Sequence, residues 1–147
     1  MSAFSTFIST LAGMSVSDGS TAYTAKYQST LRQAVPSMEC PYRFITPFDD
    51  DAAHDGELLN KTRVRTDFTL TDLMLYAPYG EGYGWAQYAS ALDTYVGNWV
   101  DAIRDRMAAF CAAGAQGVTY SIRRTVISYA GENYYGVRAT VTIREFN

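Results

Sequence analysis

The sequence predicts an α+β fold: an antiparallel or mixed sheet crossed by one long amphipathic helix, with a short helix at the N-terminus. Tyr88, Leu92, Tyr95, Trp99, Ile103, Met107 and Phe110 recur every three or four residues, the spacing of one helix face. Val137, Ala139, Val141 and Ile143 alternate with Arg138, Thr140, Thr142 and Arg144, the spacing of a half-buried strand. The chain has 147 residues, 48% hydrophobic and 18% charged, which fits one domain over residues 1–147 with a core of its own.

Taken in order, Phe4, Phe7, Ile8 and Leu11 predict a helix over 3–12 that stops near Gly13. The Ser/Gly/Asp run at 15–20 reads as a turn. Tyr23, Tyr27, Leu31 and Val35 recur every four residues and favour a helix over 21–35, although Thr and Tyr there also suit a strand. Pro36, Pro41 and Pro47 interrupt any helix beyond, and Tyr42–Ile45 between them reads as a short extended piece or edge strand. Residues 49–57, DDDAAHDGE, read as a solvated acidic loop.

Lys61 to Tyr76 follows as a long strand in which Val64, Phe68 and Leu70 alternate with polar residues. The alternation shifts at Thr71-Asp72, ahead of the apolar run Leu73-Met74-Leu75, so a bulge or a break into two strands is expected there. Pro78 and the glycine-rich Tyr79–Gly84 lead into the long helix, predicted over 86–113 and roughly 40 Å long. Gly97 sits within it, and close backbone packing would justify that glycine. Gly114 or Gly117 stops the helix. A hairpin turning at Ala130-Gly131-Glu132-Asn133 closes the chain.

The net charge of −3 and pI near 5.0 argue against a dedicated nucleic-acid binder. The acidic excess is local: residues 1–60 carry a net −4 and the remainder +1. Cys40 and Cys111 have no metal-like spacing and read as small buried hydrophobes. The N-terminus has no basic n-region and too short an apolar run for a signal or a membrane span, so synthesis is expected in the cytoplasm.

Asp49, Asp50, Asp51, Asp55 and Glu57 beside His54 raise a divalent-metal site. Counted from Asp51, however, an EF-hand register puts Ala53 third and Thr62 twelfth, and counted from Asp49 it puts His54 where the glycine belongs. Gly80-Glu81-Gly82-Tyr83-Gly84 lacks both a third dinucleotide-binding glycine and a P-loop lysine, and reads as a connector. A single His and no Gly-x-Ser-x-Gly leave no nucleophilic constellation. A carboxylate pair for acid–base work stays open but nothing in the sequence marks one, and no metal or cofactor is expected.

Twelve Tyr in a chain that is 14% aromatic suit a sheet and half-buried subunit contacts equally well. The candidate interface residues are Trp85, Tyr88, Tyr95 and Trp99 in the first half of the helix, with Arg123, Arg124, Arg138 and Arg144 on the hairpin. For each arginine taken singly, the competing reading is the wet face of a sheet.

The short N-terminal helix, then VPSMECPYRFITPF, a strand ending LMLYAP, a helix reading LDTYVGNWVDAI and the hairpin GENYYGVRATVTI follow one another in a characteristic order. That layout resembles the tail terminator (tail completion) proteins of long-tailed bacteriophages over nearly the whole chain. The resemblance implies a virion structural protein that forms a homo-oligomeric ring, typically a hexamer, at the head-proximal end of the tail tube. There it would block addition of the next tube ring and present a docking face to the head–tail connector protein. DNA would pass through the bore without specific binding, and no enzyme activity, cofactor or membrane is implied. Asp49, Asp50, Asp51, Asp55 and Glu57 would face that bore, where negative charge keeps DNA from sticking. Two other classes suit the same residues: another head–tail joining or tail-tube subunit, and a small cytosolic ligand-binding domain with Gly80–Gly84 as a pocket rim.

Overall fold

The computed structural model describes residues 3–27, 40–46, 53–58, 64–80 and 84–146. Helix α1 (Ala3–Ala12) ends as its sequence predicts, with the Gly13 N–H donating to Ser9 O at 3.0 Å. Strands β1 (Val16–Ser17) and β2 (Ala22–Tyr23) form a small antiparallel hairpin, and β3 (Lys26–Tyr27) joins the main sheet. The helix expected over 21–35 is therefore absent through Tyr27, and residues 28–35 lie outside the described residues. The cause is local. Asp18 Oδ1 accepts the N–H groups of Ser20 and Thr21, each at 2.9 Å, and this Asx-type turn reverses the chain before a helix can start.

The main sheet runs β3-β4-β6-β8-β7, where β4 is Tyr42–Thr46, β6 Val64–Pro78, β7 Ala115–Tyr129 and β8 Glu132–Phe146. Among the described residues one pairing is parallel, β3 with β4, so the sheet is mixed. Strand β4 is thus not an edge: it lies between β3 and β6. A further strand, β5 (Ala53–Leu58), pairs antiparallel with Val64–Thr69 of β6, end to end with β4, which pairs with Thr71–Leu75. That corrects the loop reading for residues 53–57. Strand β6 is 15 residues long, β4 covers only one half of its edge, and the neighbouring segment supplies the missing partner.

Strand β6 also runs unbroken through Thr71-Asp72, and the register shift lies later, between Leu75 and Ala77. The change in alternation has another cause. Phe68, Leu70, Met74 and Tyr76 face the helix, whereas Leu73 and Leu75 enter a second apolar cluster with Tyr42, Phe44, Ile127 and Tyr134 on the opposite face. An apolar run in which neighbours point to opposite faces is a strand buried on both sides. The last hairpin turns on Ala130 (φ 53°) and Gly131 (φ 84°), the paired positive φ values of a type I′ turn.

The long helix is divided. Helix α2 spans Gly84–Asp105, 22 residues or about 33 Å, and α3 spans Met107–Ala112. Between them Arg106 N–H bonds back to Ile103 O at 3.2 Å, and the Arg106 guanidinium donates to Gly13 O at 3.0 Å. Leu92, Tyr95, Trp99 and Ile103 pack on Leu70, Met74, Val137, Ala139, Val141 and Ile143, and Phe110 meets Phe7 at 6.2 Å. Gly114 (φ 110°) ends α3. No helix among the described residues is long and apolar enough to cross a membrane.

Gly97 has no close packing partner: it is exposed, and a Cβ built there meets nothing within 4 Å. Gly97→Ala is therefore expected to stabilise the isolated chain by about 1 kcal/mol through helix propensity alone, read as a higher urea midpoint.

Candidate functional site

The residues singled out from sequence fall into three environments. Tyr95 (1% exposed) and Trp99 (0%) lie inside the chain's own core, which corrects their assignment to an interface. Trp99 instead packs edge-on against Tyr120 at 5.4 Å and donates its indole N–H to Asp72 at 3.0 Å. Trp85 and Tyr88 are half-buried and pack around Tyr135, with ring centroids 4.8 and 5.8 Å away. The aromatic surplus of the helix is thus largely used within the chain itself.

The hairpin arginines divide between the two faces of the sheet. Arg124 lies on the helix side, paired with Asp93 at 3.2 Å and stacked 5.5 Å above the Trp85 ring. Arg123, Arg138 and Arg144 lie on the other face, where Arg123 and Arg138 stand directly opposite each other across β7 and β8. Arg144 bonds Asp67 at 3.1 Å, and Arg65 reaches the same carboxylate at 3.0 Å. The Arg65 hydrogen bond comes first among the effects that hold the Asp67 carboxyl below its ordinary value, although burial opposes it. Asp55 and Glu57 stand on β5, while Asp49, Asp50 and Asp51 lie outside the described residues.

Beneath the helix lies a centre that the sequence reading passed over. Arg43 on β4 and Asp72 on β6 are both buried, at 2% and 2% exposure. Arg43 Nε donates to Asp72 Oδ1 at 3.0 Å and Nη2 to Oδ2 at 2.6 Å, a bidentate pair. Arg43 Nη1 donates to the carbonyls of Met14 (2.5 Å) and Tyr23 (3.1 Å). One ion pair therefore joins the sheet, α2 through Trp99, and the N-terminal segment. Burial alone would lower the Arg43 pKa, but the facing Asp72 carboxylate raises it. Beside the pair, Tyr95 OH is buried without a hydrogen-bond partner among the described residues, and burial followed by the Asp72 charge pushes its pKa up.

A second acidic centre forms at Asp18, whose Oδ2 accepts the hydroxyls of Tyr23 (3.1 Å) and Tyr76 (2.9 Å). Burial opposes ionisation here, yet the Thr21 and Ser20 N–H groups and the two hydroxyls hold the Asp18 carboxyl below its ordinary value. In turn Tyr76 is pushed from 10.0 up to about 12, by burial first and then by Asp18. The folded chain therefore keeps the Tyr76 proton at a pH where the unfolded chain releases it. The stability this contributes is full below about pH 10 and is lost as pH rises through about 12. A titration of tyrosinate absorbance is expected to show Tyr76 ionising near pH 12, and Asp18→Asn to bring it earlier.

The other prominent surface is β7 itself. It is the last strand of the sheet, pairs only with β8 among the described residues, and runs 15 residues. Most of its residues are exposed on both faces, including Tyr120 and Val126 at 39% each. It presents a long row of backbone donors and acceptors at an open edge. No known protein-family model matches the chain, and no curated protein matches it either.

Proposed function

We propose that this protein is a virion structural subunit that assembles as a ring on the head-proximal end of a bacteriophage tail tube, stopping its growth and forming the surface on which the head connector docks. The open edge of β7 carries the reading. Isolated proteins blunt such edges with short strands, charged side chains, bulges or covering loops; β7 carries Arg123, Arg124 and a register shift at Ala115/Gly117, yet it still runs 15 residues and bears exposed Tyr120 and Val126. At the far side of the sheet stands the two-residue β3, so the two sides differ. Unlike sides meeting head to tail close into a ring when the rotation closes.

The element order supports the same reading, with a short helix, a sheet, the long helix and a terminal hairpin in the sequence that tail terminators share. The test is negative-stain microscopy of tail-tube protein polymerising with and without this chain. Shortened tubes carrying an added ring at one end are expected. Unchanged tube lengths at several-fold molar excess would sink the proposal. Ser121→Lys combined with Val126→Lys, which puts charge along the β7 edge without touching the core, is expected to abolish capping while leaving the fold intact by circular dichroism.

A further inference from the structure

Between the β1–β2 hairpin, the end of β6 and the start of α2 lies a pocket of about 490 Å³ lined by Asp18, Tyr23, Tyr76, Tyr88 and Ala91. The Tyr76 and Tyr88 rings meet at 5.5 Å with their planes 73° apart, so two aromatic walls stand nearly at right angles. Asp18, at 9% exposure, contributes the charge. Its Oδ1 accepts two backbone N–H groups and its Oδ2 two tyrosine hydroxyls. These donors fill the roughly four acceptor positions that a carboxylate offers. All of them are neutral, and Asp18 has no ion pair among the described residues. The carboxylate is saturated as a hydrogen-bond acceptor, while no cationic partner among the described residues balances its charge.

That combination selects a ligand. An ammonium or guanidinium group binds a carboxylate by donating N–H bonds to it. Here each such bond would have to displace one already made. A cation without N–H groups has no bond to place, gains from the aromatic walls and still feels the charge. We propose that this pocket binds a quaternary ammonium group, presented by a small molecule or by a trimethylated lysine. The proposal rests on the pocket and is independent of ring formation.

Calorimetric titration of the full chain with choline, tetramethylammonium, ammonium and the uncharged choline isostere 3,3-dimethylbutan-1-ol tests it. Choline and tetramethylammonium are expected to bind roughly tenfold or more tighter than ammonium or the alcohol. Failure of choline to bind overturns the proposal, as does ammonium or the alcohol matching it. Asp18→Asn is expected to weaken choline binding by about tenfold. Because that change also touches the hairpin turn, Tyr88→Leu serves as a second variant: it removes one wall and leaves every Asp18 hydrogen bond in place. Undiminished choline affinity in folded Tyr88→Leu would overturn the assignment. A trimethyl-lysine peptide binding tighter than choline would identify the source as a protein tail, and the reverse order a free small molecule.

Discussion

Asp72→Ala is expected to lower the unfolding free energy by about 3–5 kcal/mol, a large part of what a domain of this size possesses. The magnitude follows from what remains behind. Arg43, 2% exposed, would keep its charge in the core without the carboxylate that offsets its desolvation. The Trp99 indole N–H would lose its acceptor in the same step. Arg43→Met strands Asp72 in the same way and is expected to cost about as much. The paired replacement Arg43→Met with Asp72→Leu leaves no orphaned charge and is expected to cost far less than either single change. Urea unfolding of the three variants measures this directly. Additive losses in the double variant would mean that the two residues do not act as a pair.

Gly136→Ala is the second large effect. Gly136 lies in the middle of the sheet, opposite Leu75 on β6 and Thr125 on β7. A Cβ there would stand 2.1 Å from Met74 O and 2.8 Å from Ile127 Cδ1. The first of these is backbone inside a paired strand, so relief requires parting β6 from β8 beside the register shift at Leu75/Ala77. A loss of about 3 kcal/mol is expected, seen as a fall in melting temperature of roughly 10 °C. Gly117→Ala, where an added Cβ meets nothing within 4 Å, is the control and is expected to change stability by less than about 0.5 kcal/mol.

The elements that could be read from sequence are those whose signal is periodic and local. The stripe from Leu92 to Phe110 places the helix, and Val137, Ala139, Val141 and Ile143 are all buried as their alternation predicts. Where the deciding partner is distant, the sequence reading goes astray. Residues 53–57 look like a loop because their strand character comes from pairing with Arg65–Thr69 and not from their own composition. The unbroken course of β6 is hidden because Leu73 and Leu75 serve a second apolar cluster contributed by β4, β7 and β8. The division of the helix at Arg106 leaves no Pro or Gly to mark it.

The same limit applies to the sites. Arg43 and Asp72 are 29 positions apart, and neither belongs to a motif, yet both interrupt strongly apolar strand segments. A lone charge in each of two strands that go on to pair is the signal that could have joined them. Tyr95 and Trp99 mislead in the opposite sense, since an aromatic residue on a long helix has the same appearance in sequence whether it fills a core or meets a partner. The Asp18 pocket depends on Tyr76, 58 positions away, and has no trace in local composition.

The role of the β7 edge is tested most directly by amide hydrogen exchange along Ala115–Tyr129, measured on the free chain and on tubes capped by it. In the free chain the outward-facing amides of β7 are expected to exchange quickly while those bonded to β8 are protected. On capped tubes the outward-facing set should become protected as well, because in the proposed ring a neighbouring copy pairs with that edge. Capped tubes whose outward β7 amides still exchange at the free rate would contradict the assignment of this strand to the ring contact.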